Sequence, residues 1–302
     1  MGREDPDAQA LPRTSSIPIL VCRYMRVVLT GATGGLGTSL TLGLLGKARE
    51  LVILHRDEQR YQSWRQTIPG PSETALFPIE ADLSSIVDLR RGIRRIEESG
   101  SPIDLIIHNA ASLTPRPVLT SEGVDHMFAV NVLAPYLLCR KLLPLLQAAE
   151  SPQILLLGSD AHRWAKPFDP AVWPGPNSRS VLRNYGIQKL VSILLAKELR
   201  QRYGPSGLRA HAHHPGQLNT DLGERGPWFL SLYWKLTRKA RLEPSRAASA
   251  ILKDLFSQAP DTLENLYREE GIPTEPTELA RSQELAQACW ERCSIILDQF
   301  EP

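Results

Sequence analysis

The stretch MRVVLTGATGGLG, residues 25–37, decides the fold of this chain. It begins as a short apolar strand, passes through a turn rich in glycine, and continues into apolar residues at helical spacing. Glycines let the backbone bend sharply and approach a pyrophosphate, and the start of the following helix offers amide donors and a favourable dipole. The glycines alone would indicate only a turn, but together with the strand and the helix they predict a dinucleotide-binding turn.

Beyond this stretch, strand-like and helix-like segments alternate along the chain. The predicted strands are Val27–Leu29, Leu51–Leu54, Thr74–Ile79, Leu105–His108, Ile154–Leu157 and Leu208–His213. The predicted helices are Leu36–Lys47, Ile86–Glu98, Ser121–Ala149, Tyr185–Tyr203 and Pro244–Ser257. Continuous apolar strands suit a parallel sheet that is covered on both faces. We therefore expect an α/β fold, a Rossmann doubly wound parallel sheet in a single domain, with its ligand crevice at the carboxyl ends of the strands.

The composition excludes several classes of protein. Of the 302 residues, 42% are hydrophobic, which is enough for a large core and too much for a disordered chain. The 35 basic and 33 acidic residues leave a net charge of +2, which argues against a nucleic-acid-binding protein. Four cysteines are too few for a disulfide scaffold. Cys289 and Cys293 are interpreted as core thiols on one helix face rather than as a metal-binding pair.

We expect no membrane-spanning segment in this chain. The most apolar stretch, Val132 to Cys139, is ended by Arg140 far short of the ~20 residues that a helix needs to cross a bilayer. The apolar residues 17–21 form too short a run and include a proline. The sequence therefore predicts a cytoplasmic protein.

Two regions differ from the alternating scaffold. Residues 1–24 contain three prolines and no periodicity, which predicts a flexible N-terminal tail before a domain at 25–302. Residues 221–245, called the lid segment below, combine aromatic and basic side chains. Three interpretations remain open for the lid segment: a C-terminal substrate lid over an apolar pocket, a helix packed on the body, or a peripheral membrane contact.

The end of the second strand bears on cofactor choice. An acidic residue at this position binds the adenosine ribose hydroxyls in NAD-specific sites. Here the strand is followed by Arg56, and a guanidinium suits a 2′-phosphate through forked, charge-assisted hydrogen bonds. The sequence favours NADP(H) over NAD(H), with the alternative that Arg56 is a surface residue and Asp57 takes the ribose.

A tyrosine and a lysine four residues apart form the candidate catalytic pair. Tyr185 and Lys189 would share one face of a helix. An ammonium near a phenol favours the phenolate, so we expect Lys189 to lower the Tyr185 pKa from about 10. A tyrosine with a lowered pKa can donate and accept a proton near neutral pH.

The order of these motifs resembles that of the short-chain dehydrogenase/reductase family across residues 25–220. Residues 30–37 are similar to the family's TGxxxGxG turn, and Tyr185 and Lys189 match its YxxxK pair. The other matching positions are Asp82-Leu83, His108-Asn109-Ala110-Ala111, Asn131, Ser159, Pro215-Gly216 and Thr220. Further features at 56, 159–162, 214–216, 265–267 and 288–293 resemble the retinol dehydrogenase-like and WW-domain oxidoreductase-like group, although no WW-domain pattern is present.

The resemblance implies a set of site residues. The implied catalytic residues are Asn131, Ser159, Tyr185 and Lys189. The implied cofactor-binding residues are Thr30, Gly31, Thr33, Gly34, Gly35, Leu36, Gly37, Arg56, Asp82, Leu83, Asn109, Ala110, Tyr185, Lys189, Pro215, Gly216 and Thr220. Tyr185 would protonate a carbonyl oxygen or deprotonate an alcohol, and Ser159 would hydrogen-bond that oxygen. Lys189 would hold the nicotinamide ribose, and Asn131 would position a water that links Lys189 to solvent.

The implied function is NADP(H)-dependent interconversion of a carbonyl and an alcohol on a lipophilic small molecule. The alternatives are a tailoring ketoreductase acting on a polycyclic or polyketide intermediate, and a non-catalytic protein that binds a cofactor and interacts with partners. A homodimer through the helices at 121–149 and 185–203 is a further expectation, which the acidic C-terminal extension would block or replace. No nucleic acid is expected as a partner.

Several residues depart from the family pattern or invite other chemistry. Gln188 stands where a serine usually precedes the lysine, and Gly158 replaces a frequent serine; each is expected to reshape the edge of the pocket. His162 is interpreted as a loop histidine, with a catalytic base as the alternative. His211 and His213 would face one side of their strand and His214 the other, and no metal site is expected.

Overall fold

The computed structural model describes residues 25–70, 72–174, 180–219, 232, 236–237, 241–257 and 266–300. The predicted N-terminal tail at 1–24, Thr220 and most of the lid segment lie outside these described residues. Within them the chain folds as one α/β domain around a single sheet. The expected Rossmann architecture is therefore confirmed.

The sheet contains eight strands among the described residues, and seven of them run parallel. The strands are β1 (Met25–Thr30), β2 (Ala48–His55), β3 (Ala75–Glu80), β4 (Leu105–His108), β5 (Gln153–Leu157), β6 (Arg209–His214), β7 (Tyr267–Glu269) and β8 (Ile272–Pro273). Their order across the sheet is β3-β2-β1-β4-β5-β6-β7-β8, and only β8 is antiparallel to its neighbour. The chain reverses direction across the sheet between β1 and β4, which is where doubly wound sheets bind their ligands.

Helices cover both faces of this sheet. They are α1 (Gly35–Leu44), α2 (Glu58–Arg65), α3 (Ile86–Glu97), α4 (His126–Gln147), α5 (Val181–Tyr203), α6 (Pro244–Leu255), α7 (Glu278–Arg281) and α8 (Gln283–Asp298). A 3-10 helix spans Asp160–Trp164, and the residues Ala129–Leu133 of α4 form a π-helical turn. Side chains cap the starts of five helices, namely Asp57, Ser85, Asp125, Ser180 and Ser282.

The alternation along each buried strand divides the core into two layers. In β1, Val28 contributes to the layer that also contains residues of α3, α4 and α5, whereas Val27 and Leu29 contribute to the layer beneath α1 and α6. All three side chains are fully buried. Burial of each such side chain contributes about 1.5–3 kcal/mol, so apolar residues are required on both faces of the strand. This requirement explains the continuous apolar runs in the sequence.

The C-terminal helix α8 packs on the outer side of α4 and α5. The Trp290 ring lies edge-on to Tyr136 at 4.6 Å between centroids, and the Arg202 guanidinium lies 5.2 Å from the Trp290 ring centre. Cys289 and Cys293 are fully buried free thiols on this helix, which confirms their interpretation as core residues. Helix α8 thus lies on α4 and α5, the two helices that are expected to pair in a homodimer. That homodimer stays a prediction.

The structure differs from the predicted elements at several places. Helix α2 was not predicted, because only Tyr61 and Trp64 of its eight residues are buried and its sequence is otherwise polar. The predicted helix 121–149 begins at His126, because Asp125 caps its start, and it ends at Gln147. Strands β7 and β8 were also missed, because three and two residues are too short to give a strand pattern.

One helical stretch among the described residues has the length and composition of a membrane span. It runs from His126 to Gln147, with a mean hydropathy of 1.4 in its most apolar window. In the fold, 72% of that window is buried inside the protein. This burial is what a core helix of the sheet's covering layer requires.

Candidate active site

The glycine turn after β1 is tied to the end of β4. Asn109 donates from Nδ2 to the carbonyl oxygens of Thr30 and Gly31 at 3.0 and 2.9 Å, and Ala110 N donates to Thr30 Oγ1 at 3.1 Å. Gly31 has φ +69°, and a Cβ there would lie 2.8 Å from Ala110 Cα. A Cβ on Gly37 would lie 2.0 Å from Gly31 O. Glycine is therefore required at both positions, which the sequence motif had predicted.

The start of α1 is open to an anion. Gly34 is its N-cap residue and has no side chain to bond the first amides, and no acidic residue occurs in the first turn. Gly35 begins the helix, and Leu36 is buried beneath it. Uncapped amides and the positive end of the helix dipole together favour a phosphate group at this position. The residues present therefore fit the pyrophosphate of a dinucleotide.

Two cations follow β2, and one of them contacts this turn. Arg56 is exposed, and Arg60 Nη2 lies 3.5 Å from the carbonyl oxygen of Thr33. Asp57 accepts a hydrogen bond at Oδ1 from Arg60 N at 2.9 Å, as the cap of α2. The second carboxylate oxygen of Asp57 can still accept, so the alternative in which Asp57 takes the ribose stays a prediction. Sequence reasoning missed Arg60, although its position one helical turn after Arg56 was a usable signal.

The next expected cofactor residues follow β3. Asp82 accepts at Oδ1 from both the backbone N and the Oγ of Ser84, at 2.9 and 2.8 Å. Leu83 is partly buried and packs against the core. The Asp82 carboxylate is thus held in one orientation at the carboxyl edge of the sheet.

Ser159 follows β5 and begins the 3-10 helix Asp160–Trp164. Its Oγ accepts a hydrogen bond from Ala161 N at 3.2 Å. His162 Nδ1 lies 2.8 Å from Ser159 O, and His162 Nε2 accepts from Thr277 N at 3.3 Å. His162 is buried, and burial lowers its pKa. With both ring nitrogens engaged, His162 serves to hold the Ser159 backbone rather than to act as a base.

Helix α5 brings Tyr185 to this same segment. Tyr185 packs with Leu113, Met127 and Ala161, and the last of these lies two residues after Ser159. The approach is close because a Cβ on Gly186 would lie only 2.6 Å from Ala161 O. Gly186 was not identified from the sequence, because the required approach comes from a segment distant along the chain.

Lys189 lies one helical turn after Tyr185 and is anchored to β5. Its Nζ donates to the carbonyl oxygen of Leu157 at 2.7 Å, two residues before Ser159. The same Nζ lies 5.6 Å from the centre of the Tyr185 ring. The structure therefore brings Ser159, Tyr185 and Lys189 together at the carboxyl end of β5.

The expected effect of Lys189 on the phenol is wrong for this structure. Burial raises the pKa of Tyr185 above its ordinary value of 10. Burial also lowers the pKa of Lys189 to about 8. Desolvation disfavours the charged form of each group, and the ammonium is directed to a backbone carbonyl rather than to the phenol oxygen.

Asn131 lies in the π-helical turn of α4, and its carboxamide is fully engaged. Its Oδ1 accepts from Ser112 N at 2.8 Å, and its Nδ2 donates to Ser112 O at 2.8 Å and to Gln188 Oε1 at 2.7 Å. Gln188 is fully buried, so the expectation that it reshapes the pocket edge is wrong. Because Gln188 precedes Lys189, it connects Asn131 to the helix that carries the catalytic pair.

The last expected cofactor residues follow β6. Pro215 and Gly216 are buried, and Gly216 has φ +83°. A Cβ on Gly216 would lie 2.6 Å from Glu270 Oε1, so the turn between β7 and β8 rests on this glycine. Likewise, a Cβ on Gly158 would lie 3.3 Å from the ring of Tyr267. The glycine at position 158 thus makes room for a ring from the C-terminal part of the chain.

The histidines of β6 are part of the core in this structure. His213 is fully buried, and its Nε2 accepts from Gly271 N at 3.0 Å. His211 and His214 are also buried. Across the described residues, no group of three or more histidine, cysteine or acidic side chains has the arrangement of a metal site.

Comparison with known proteins adds to this geometry. A family profile described as short chain dehydrogenase matches residues 25–226. Retinol dehydrogenase 13 from Homo sapiens is 28% identical over 97% of this chain and 89% of its own length. WW domain-containing oxidoreductase from Drosophila melanogaster is 26% identical over 87% of this chain and 66% of its own length.

Solved structures share the same fold. A short-chain dehydrogenase from Sphingobium yanoikuyae in complex with NADPH superposes with a TM-score of 0.64, at 20% identity over 91% of this chain and 95% of that one. A 3-ketoacyl-(acyl-carrier-protein) reductase from Brucella melitensis complexed with NADH gives a TM-score of 0.62, at 22% identity over 83% of this chain and 99% of that one. At these identities the likeness concerns the fold alone.

Proposed function

The chain belongs to the short chain dehydrogenase family of oxidoreductases, and on that premise we propose that it interconverts a carbonyl and an alcohol on a lipophilic substrate with NADP(H). The observation that carries this proposal is the meeting of three side chains at the carboxyl end of β5. Ser159 follows this strand, Lys189 is bonded to its last residue, and Tyr185 packs on the helix that Ser159 begins. A substrate oxygen bound at this end of β5 would lie beside the segment that carries the Ser159 hydroxyl and the Tyr185 phenol.

Each of these side chains has a role that its surroundings support. A nicotinamide bound at this edge of the sheet would supply or accept the hydride. Tyr185 donates its proton to the carbonyl oxygen or takes one from the alcohol, and Ser159 Oγ hydrogen-bonds the same oxygen. With a pKa of about 8, Lys189 is mostly charged at neutral pH. Its ammonium would hold the nicotinamide ribose, and its hydrogen bond to Leu157 O fixes it at the end of β5.

The preference for NADP(H) rests on the end of β2. Arg56 is exposed directly after β2, and Arg60 Nη2 lies 3.5 Å from Thr33 O in the glycine turn. Two guanidinium groups there favour a ligand with an extra phosphate. Asp57 Oδ1 is engaged as the cap of α2, which holds this carboxylate at the start of that helix.

The lipophilic character of the substrate rests on the surroundings of Tyr185. The apolar side chains that pack with its ring are Leu113, Met127, Ala161 and Val181. Trp164 is 54% exposed on the 3-10 helix that packs against α5. An apolar wall with a few polar groups is the usual lining of a small-molecule site. The relative named retinol dehydrogenase 13 points to the same class of substrate.

The test is turnover of aromatic and long-chain aldehydes and ketones, followed by the loss of NADPH absorbance. Wild-type protein is expected to reduce members of this panel. Tyr185→Phe is expected to lose at least ~100-fold in kcat and to keep its Kd for NADPH within about twofold, because the phenol acts in proton transfer. Undiminished turnover in Tyr185→Phe would refute the catalytic assignment. Tight NADPH binding without turnover of any carbonyl would favour the non-catalytic alternative.

A further inference from the structure

Gln188 occupies an unusual position in the site. It lies on α5 between Tyr185 and Lys189, and its side chain is fully buried. Its carboxamide contacts that of Asn131 at 2.7 Å. A residue with this burial and this contact is part of the catalytic group's surroundings, not of the pocket's edge.

The orientation of both carboxamides follows from backbone groups whose roles are fixed. A backbone N–H can only donate, so the Asn131 atom that meets Ser112 N is the oxygen Oδ1. A backbone carbonyl can only accept, so the Asn131 atom that meets Ser112 O is Nδ2. The second hydrogen of Nδ2 points to Gln188, and the atom facing it must be Oε1. The Gln188 nitrogen Nε2 therefore faces away from Asn131.

This nitrogen has no partner among the described residues. Gln188 Nε2 is buried and makes no hydrogen bond to any described protein group. Buried amide donors in native proteins almost always have an acceptor, and ordered water is the usual one when the protein provides none. The position of Gln188 thus calls for a water molecule inside the protein, next to the catalytic pair.

We propose that Gln188 is a positioning residue that fixes the Asn131 carboxamide through Oε1 and holds a buried water through Nε2. Both hydrogens of Asn131 Nδ2 are then bonded, so the carboxamide cannot rotate. The catalytic consequence rests on the proposed function, in which Asn131 serves the Tyr185 and Lys189 pair. The structural part of the proposal, which is the held carboxamide and the water, does not rest on the proposed function.

The structural part is tested by a crystal structure of the wild-type protein and of Gln188→Leu at high resolution. We expect a water within hydrogen-bonding distance of Gln188 Nε2 in the wild type. In the variant this water should be absent, and the Asn131 side chain should be displaced or disordered. The proposal would be overturned if no water lay at Gln188 Nε2 in the wild type, or if the Asn131 carboxamide did not move in the variant. Either result would count whether or not the protein turns over a carbonyl.

The catalytic part is tested by kinetics with a matched control. Gln188→Leu, with Gln188→Met as a substitute if it does not fold, should lose about tenfold or more in kcat with KM and the NADPH Kd within about twofold. Ser192→Ala removes a buried hydroxyl on the same helix whose Oγ bonds only Gln188 O, and it should leave kcat unchanged. Equal kcat losses in the Gln188 and Ser192 variants would contradict a positioning role.

A conservative variant gives a readout that general destabilisation would not produce. In Gln188→Glu, the protonated carboxyl can accept from Asn131 Nδ2 and donate to the water, whereas the ionised carboxylate can only accept. We therefore expect kcat of this variant to be near wild type at low pH and to fall as the glutamate ionises. A kcat profile that superimposes on that of Gln188→Leu across the pH range would count against the proposal. Failure of wild-type turnover, by contrast, would concern the proposed function alone.

Discussion

We expect the buried amine of Lys189 to lower the free energy of unfolding of this protein. Lys189 is 4% exposed, and burial lowers its pKa from 10.5 to about 8. The folded state therefore binds fewer protons than the unfolded state between these two values. A base with a lowered folded-state pKa destabilises the protein fully below about pH 8, and the penalty disappears as pH rises towards the unfolded pKa. From the two pKa values the penalty is about 3 kcal/mol at pH 7 and about 2 kcal/mol at pH 9.

The perturbation that reveals this penalty is Lys189→Met, which keeps the length of the side chain without the charge. The variant also loses the hydrogen bond to Leu157 O, which contributes about 1–3 kcal/mol because one partner is charged. At pH 7 the two effects oppose each other, so the variant is expected to be as stable as the wild type or up to about 2 kcal/mol more stable. Its kcat should be lost.

The pH dependence is the sharper result, because it follows from the folded and unfolded pKa values of Lys189, whatever the hydrogen bond contributes at one pH. Urea unfolding at pH 7 and pH 9 should give a stability difference between variant and wild type that falls by about 1.3 kcal/mol as pH rises. Lys197→Met, at a partly exposed position on the same helix, is the control and should show a much smaller change. A variant that is several kcal/mol less stable than the wild type, with a difference independent of pH, would refute the reasoning.

Three further substitutions and one control variant test the geometry of the site. Gly186→Ala places a Cβ 2.6 Å from Ala161 O, so it should destabilise by about 1–3 kcal/mol and reduce kcat more than NADPH binding, measured by thermal unfolding and kinetics. Gly204→Ala, with nothing within 4 Å, is its control and should be near neutral. Arg56→Ala should raise the Kd for NADPH about tenfold and leave that for NADH within about twofold, by fluorescence titration; equal losses for both would contradict the phosphate contact. Asp57→Ala should cost about 1 kcal/mol of stability through its lost helix cap, without changing the ratio of the two Kd values.

Local patterns in the sequence predicted most of the sheet and the glycine turn. The six predicted strands all occur, and in the central strands β1, β4 and β5 the apolar runs reflect burial on both faces of the sheet. Helix α2 escaped prediction because it buries only two rings, Tyr61 and Trp64. Its eight residues therefore lack the apolar stripe that reveals a surface helix.

The surroundings of the candidate catalytic residues could not be predicted in the same way. The sequence offered Tyr185 and Lys189 as neighbours on a helix, and from that neighbourhood alone a lowered pKa of the phenol was expected. The fold buries both side chains and directs the ammonium to Leu157 O. The pKa of Tyr185 is raised because burial removes water from the phenol and so disfavours the charged phenolate.

The resemblance to a known family assigned Asn131, Ser159, Tyr185 and Lys189, and the sequence by itself determined the βαβ alternation and the glycine turn. These features depend on local spacing, and local spacing can be recognised in a single chain. Only the tertiary structure decided that Gln188 faces Asn131 and that Gly186 must be glycine. Those facts depend on contacts between segments far apart in sequence, and the distance and direction of such contacts exist only once the sheet has brought the segments together.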